Sequence, residues 1–239
     1  MNELTSVQNF SESLAAGDLR SALRAIGREF HSRRWSLGTS SNYSVVTGRN
    51  PLELLITASG KDKSALSNDD FVSVDSSGTI LQDYKTSPQK SSAETLLHCL
   101  IAQSFPDVGA ILHTHSIWAT TLSRAALEPS QNQGVVSIEG YEMLKGLEGI
   151  RTHDTAVTVP VFRNSQDMVE LSDRIKDVLM APDESSSDFS PSHGFLLSGH
   201  GLYTWGRTLA EARRHIEIFE FLFEVIAHQN ILARLPESQ

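Results

Sequence analysis

Along this 239-residue chain the apolar positions switch between helical spacing and strand alternation, and the switches predict its elements. In residues 11–34, Leu14, Leu19, Leu23, Ile26 and Phe30 recur about once per turn, which predicts an amphipathic helix. Val45-Val46-Thr47 and Leu54-Leu55-Ile56-Thr57 read as two strands of a hairpin or meander. Residues 71–74 and 79–81, on either side of a Ser-Gly turn, read as another strand pair. Ser91-Ser92-Ala93-Glu94 has the capping-box pattern ahead of Leu96, Leu97, Leu100 and Ile101, so a helix is expected from near Ser92.

Beyond the Pro106-Asp107 turn, residues 108–115 form a run that predicts a buried strand, and residues 116–126 a helix. A short strand is expected at 135–138, a short helix at 141–147, a strand at 156–161 and an amphipathic helix at 166–180. Residues 181–193 have the composition of a solvated loop. Residues 194–198 predict a strand leading to His200, and residues 209–232 a long helix with Ile216, Phe219, Phe223 and Ile226 on its apolar face. There is no repeat and no linker, so the expectation is one α/β domain over residues 1–239, strands central and helices outside.

Composition narrows the function. A net charge of −9 argues against a nucleic-acid binder, which carries a basic face, but leaves room for a phosphorylated substrate in a local pocket of donors. The single cysteine, Cys99, excludes an internal disulfide and a cysteine-rich zinc module, and fits a reducing cytosol. The first residues lack the basic-then-apolar pattern of a secretory signal, and no apolar run reaches bilayer length. The chain is therefore read as cytoplasmic, with neither membrane nor nucleic acid as partner.

Against that background the histidines stand out. His113 and His115, at i and i+2 of a predicted strand, share one face and can converge on a metal; zinc is the first choice for imidazole ligands. The competing reading makes one a core residue and the other a surface residue. His200, in Ser198-Gly199-His200-Gly201-Leu202, is the best third ligand, because flanking glycines let the backbone come close; otherwise it is a turn histidine. Three histidines leave a fourth position open, as catalytic zinc requires. His215 and His228, on the last helix, read as packed or half-exposed.

Two carboxylates compete for roles nearby. Glu142 reads either as a general acid or base or as an exposed glutamate at a helix start. Glu94 reads as the capping-box glutamate, as a group close to the metal, or as both. Thr39, Asn42, Ser59, Gly60, Ser91 and Ser92 sit in short polar loops and are individually turn or cap residues; as a set they suit a phosphate.

Taken in order, Gly38-Thr39-Ser40-Ser41-Asn42-Tyr43-Ser44, Thr57-Ala58-Ser59-Gly60, Ser92-Ala93-Glu94-Thr95-Leu96-Leu97-His98, His113-Thr114-His115-Ser116 and Gly199-His200-Gly201 resemble the class II aldolase/adducin family. The resemblance runs from about residue 18 to about residue 230. Gly140-Tyr141-Glu142-Met143-Leu144-Lys145-Gly146 and His200-Gly201-Leu202-Tyr203-Thr204-Trp205-Gly206 are similar to its dehydratase branch, which acts on a methylthio-substituted ketopentose phosphate in methionine salvage.

The resemblance implies a central, mostly antiparallel β-sheet layered by helices. It implies one Zn2+ per subunit on His113, His115 and His200, and Glu142 as catalytic acid/base. Phosphate would be held by Thr39, Asn42, Ser59, Gly60 and Ser92, with Glu94 acting in acid–base chemistry or beside the ligands. Ala93 stands where the family's aldolases have a second serine. A homotetramer with sites near subunit interfaces is implied as well. Related outcomes are a class II zinc sugar-phosphate aldolase or epimerase and, more distantly, a non-catalytic adducin-like interaction module.

Overall fold

The computed structural model describes residues 18–81, 89–180 and 193–234. Eight strands form one sheet: β1 (Asn42–Arg49), β2 (Leu52–Thr57), β3 (Phe71–Asp75), β4 (Ala110–Thr114), β5 (Gln133–Glu139), β6 (Ala156–Phe162), β7 (Gly194–Leu197) and β8 (Gly201–Gly206). Their spatial order is β3-β2-β1-β4-β8-β7-β6-β5. All neighbours are antiparallel except β6 and β7, so the expected mostly antiparallel sheet is present.

Five α-helices cover the sheet among the described residues: α1 (Leu19–Ser32), α2 (Thr95–Ser104), α3 (Ile117–Ala125), α4 (Met168–Leu179) and α5 (Leu209–Leu232). Side-chain oxygens of Asp18, Ser116, Asp167 and Thr208 accept first-turn N–H groups and start four of them. Strand alternation divides the buried residues between two faces. Leu55, Ala110, Leu112, Leu196 and Leu202 pack with α1, α3 and α5. Leu54, Ile56, Ile111, Phe195, Leu197, Tyr203 and Trp205 pack with α2 and α4. No helix among the described residues is long and apolar enough to cross a membrane.

Four expectations change. Residues 79–81 do not form a strand; they make one isolated bridge, Val74 with Ile80, because the Asp75 carboxylate closes a tight turn on the N–H groups of Ser77 and Thr79. The second helix begins at Thr95 rather than Ser92, since Glu94 makes no capping hydrogen bond. The segment 141–147 is a single 3-10 turn, Glu142–Gly146. Finally, β8 is a strand that the hydrophobic pattern does not announce: it is buried along its whole length, so it shows no polar alternation. Residues 11–17 of the expected first helix, and 181–192 of the expected loop, lie outside the described residues.

His215, on α5, is packed rather than half-exposed, at 2% exposure. Its Nδ1–H donates to the Trp205 carbonyl at 2.8 Å, and its Nε2 accepts the Glu148 N–H at 3.2 Å. Burial lowers its pKa from 6.5 to about 4, and the neutral ring is the form that fits both bonds. Because the folded value lies below the unfolded one, this stability is present above pH 6.5 and is lost as pH falls toward 4. Unfolding free energies measured by denaturant titration from pH 7 to pH 4 are expected to decline by about 3 kcal/mol on account of His215. His215→Gln, which keeps a donor and an acceptor but does not titrate, is expected to flatten that slope; an unchanged slope assigns the acid sensitivity elsewhere.

Candidate metal centre

The C-terminal end of β4 meets the start of β1, the end of β2, the start of β8 and the beginning of α2. Strand register aligns Asn42, His113 and Tyr203 across β1, β4 and β8, on the face that α2 covers. His113 is fully buried, stacks on Tyr203 at 3.9 Å between ring centroids, and donates from Nδ1 to the Leu202 carbonyl at 2.8 Å. That bond fixes its tautomer and leaves the Nε2 lone pair free.

His115 lies one residue past the strand, where its backbone N–H donates to the Trp35 carbonyl at 2.8 Å. His200 sits in the β7–β8 turn. Its carbonyl accepts from the Thr120 hydroxyl at 2.9 Å, and the neighbouring Gly199 N–H donates to Ser123, so α3 pins the turn. Gly201 permits the close approach of β8 to β4: a Cβ there would lie 1.9 Å from the Thr114 carbonyl oxygen and 3.3 Å from the His113 ring. On the opposite face, Thr114 donates to the buried Glu220 carboxylate at 2.9 Å, tying the ligand strand to α5.

The three ring nitrogens converge. His113 Nε2 is 2.7 Å from His115 Nε2 and 3.3 Å from His200 Nε2, and His115 and His200 are 3.0 Å apart. Glu94 completes the group, with Oε1 3.0 Å from His200 Nε2 and Oε2 3.9 Å from His113 Nε2, while the Asn42 side-chain amide donates to it at 2.6 Å. Burial works to raise the Glu94 pKa, but the hydrogen bond to His200 and the neighbouring imidazoles outweigh it and hold the carboxyl well below the usual carboxylate range. Burial and the neighbouring rings drive His113 well below its ordinary value, and His115 down to about 4.

Neutral imidazoles crowded around an ionised carboxylate have lone pairs that they cannot all satisfy on one another. A cation resolves the conflict. The four residues offer donor atoms within 4.8 Å of one another, and the Nε2 separations are at or just below the roughly 3.3 Å between neighbouring donors of a tetrahedral ion with bonds of about 2.05 Å. The donor set therefore fits a metal.

The expected phosphate residues gather beside it. Thr39, Asn42, Ser59, Gly60 and Ser92 line one polar cavity of about 100 Å³, together with Ser40, Ser41, Glu94 and His115. Ser91 instead directs its hydroxyl to the Gly78 carbonyl. A larger cavity, about 470 Å³, opens at the other end of β4 and β8 among Phe105, His193, Trp205, Arg207 and His215. Both His215 ring nitrogens there are already bonded within the fold, so convergent donors select the smaller cavity.

Glu142 is not part of the group. It opens the 3-10 turn with its side chain 68% exposed, paired with Lys145 and lying 3.5 Å from His153. Glu94, for which the sequence left open a capping role and a place beside the metal, is the carboxylate that reaches the histidines.

Residues 21–227 match the family described as Class II Aldolase and Adducin N-terminal domain. The chain belongs to that family. It is 46% identical over 199 residues to a methylthioribulose-1-phosphate dehydratase of Marinobacter nauticus, covering 83% of this chain and 87% of that protein. With a methylthioribulose-1-phosphate dehydratase of Pseudomonas fluorescens it shares 43% over 212 residues, 89% of this chain and 93% of the other. An L-fuculose 1-phosphate aldolase superposes with a TM-score of 0.69 at 20% identity, covering 92% and 91% of the two chains. The L-fuculose-1-phosphate aldolase of Thermus thermophilus gives 0.65 at 21%, over 90% and 97%. At such identities these two superpositions speak for the fold alone.

Gly201→Ala is expected to force β8 from β4 and to lower metal content per chain severalfold by elemental analysis, with a folded protein by circular dichroism; full occupancy would show that the close approach is not needed. His115→Ala is expected to lower metal content too, and unchanged occupancy would remove His115 from the ligand set.

Proposed function

We propose that this chain is a cytosolic lyase that dehydrates 5-methylthioribulose 1-phosphate to 2,3-diketo-5-methylthiopentyl 1-phosphate in methionine salvage, with one zinc ion per subunit. The observation that carries this reading is the convergence of His113, His115, His200 and Glu94 beside a cavity of hydroxyl and amide groups. It is supported by identity above 40%, over most of the chain, to proteins named for that reaction. A non-catalytic adducin-like module has no use for such a donor set.

His113, His115, His200 and Glu94 would hold the zinc, which would supply Lewis acidity toward the substrate's C2 ketone. The protein's own groups set the rest. His113, His115 and His200 present neutral Nε2 atoms, and Glu94, held by Asn42, contributes a fixed negative charge. Hydroxyls of Thr39, Ser59 and Ser92 and the backbone of Gly60 face the 1-phosphate, with Asn42 at the boundary between the two sites.

Glu142 takes the C3 proton and returns it to the C4 hydroxyl, which departs as water. Being exposed and outside the cluster, it acts from a neighbouring copy in a homotetramer whose sites lie at subunit interfaces. Lys145 keeps its carboxyl below the ordinary value in the free surface state; desolvation on entering a neighbour's site raises it toward the range of a working acid.

Glu94 in the metal group gives specific support to a second reading, a class II aldolase in which that carboxylate handles the proton and the C3–C4 bond breaks. The product decides. Purified enzyme with methylthioribulose 1-phosphate is expected to form the diketone, and to stop when a chelator is added; aldehyde release instead of diketone establishes the aldolase.

Glu142→Gln is expected to keep its metal and lose roughly two or more orders of magnitude in turnover. Mixed oligomers of Glu142→Gln and His115→Ala chains are expected to recover about a quarter of wild-type activity, since random mixing pairs an intact centre with an intact glutamate that often. No recovery on mixing refutes the action of Glu142 across an interface.

A further inference from the structure

Lys63 is 1% exposed, an unusual place for a lysine, and it makes no ion pair among the described residues. Its Nζ donates to the Lys61 carbonyl at 2.7 Å. Burying an ammonium costs several kcal/mol unless charge and hydrogen bonds compensate it, and one carbonyl does not. The nearby acids are committed elsewhere: Asp62 accepts from Ser64, Asp70 pairs with Lys61, and Glu94 belongs to the metal group. Burial lowers the Lys63 pKa to about 8, against the pull of Asp62, Glu94 and Asp70, so the side chain is charged at neutral pH.

Other contacts also hold the loop. Arg24 donates to the Leu66 carbonyl at 2.7 Å, Lys61 pairs with Asp70 at 2.8 Å, and the Lys63 carbonyl seats against Gly27 of α1, where a Cβ would meet it at 2.3 Å. The carbonyl that the ammonium holds belongs to Lys61, the residue that follows Ser59 and Gly60 of the polar cavity's lining. The ammonium's field reaches two further residues of that lining, Glu94 and His115. Among the described residues the lining carries hydroxyls, amides and the ionised Glu94, but no cationic side chain of lysine or arginine.

We propose that Lys63 is a positioning residue and buried counter-charge for a phosphomonoester dianion in this cavity. It fixes the Lys61 carbonyl, and so the orientation of the Ser59–Gly60–Lys61 turn, and it offsets both Glu94 and the chain's net charge of −9 where the dianion docks. The inference rests on the phosphate-site reading given above and extends it to a residue that does not line the cavity.

Two variants separate charge from hydrogen bond. Lys63→Gln keeps an N–H donor without the charge; Lys63→Met removes both. The probes are inorganic phosphate, followed by calorimetric titration, and methylthioribulose 1-phosphate, followed by its KM and kcat. Both variants are expected to weaken phosphate binding and raise KM roughly ten- to hundredfold, the span for one unit charge acting through several ångströms of partly screened protein. The expectation for kcat is a change of less than about threefold, with metal content unchanged and thermal stability unchanged or higher, because a buried charge has been removed.

If wild type binds phosphate and both variants bind it equally well, the role of Lys63 is overturned while the phosphate site stands. Weakening by Met but not by Gln overturns the counter-charge and leaves only a hydrogen bond. Weaker binding together with lower stability and lost metal makes Lys63 a structural plug, which also overturns the proposal. Absence of phosphate binding by wild type, with Ser59→Ala leaving KM unchanged, overturns the phosphate site and this inference with it.

Discussion

Three imidazole nitrogens lie within 3.3 Å of one another at the end of β4, and an ionised carboxylate presses on two of them. Such crowding needs external scaffolding, because each ring loses solvation and gains a neighbour with the same lone pair. The scaffolding comes from every side. The Leu202 carbonyl and the Tyr203 ring hold His113, the Trp35 carbonyl holds the backbone of His115, and α3 holds the turn that carries His200. The order of the central strands follows from the same need: β8 must lie against β4, and glycine at 201 is what allows it.

The period-two alternation of β4 divides its duties. His113 faces α2, which brings Glu94, whereas Thr114 faces α5 and engages Glu220. Burial raises Glu220 to about 7, against the hydrogen bonds from Ser116 and Thr114. A strand anchored to helices on both faces cannot slide by one residue without exchanging the two environments, and this sets the register of the ligands. The chemistry thus depends on a helix that contributes nothing to the metal group.

Legibility follows periodicity. The amphipathic α5 is readable to its ends, and the His113/His115 pair is readable because strand parity alone puts both on one face. His200 is readable from its glycines, although β8 behind it is not: a strand buried along its length has no alternation to detect. Glu94 reads two ways in the sequence, as the cap of Ser-Ser-Ala-Glu or as a neighbour of the metal, and the tertiary contacts decide for the second by drawing the carboxylate to the histidines. Lys63 gives no signal at all. A lysine in a short polar loop reads as solvated, and only the packing of that loop on Gly27 shows it buried. Glu142 is singled out only through its segment's resemblance; within its own chain it is exposed and pairs with Lys145 and His153.

The separation of the two glutamates bears on which bond breaks. Glu94 is clamped by Asn42 and His200, so its oxygens stay near the metal ligands and its ionised form is strongly favoured. A carboxylate so placed stabilises positive charge well, but it is a poor proton donor to a hydroxyl further along the substrate, because protonation would forfeit those contacts. Departure of the C4 hydroxyl requires a different acid, one whose pKa rises as the site closes around it. A surface carboxylate that loses solvent on entering a site behaves in that way; a pre-buried, hydrogen-bonded one does not. The metal group alone is compatible with either cleavage or dehydration, and under the reading proposed above a second carboxyl, Glu142, would be the group that makes the difference.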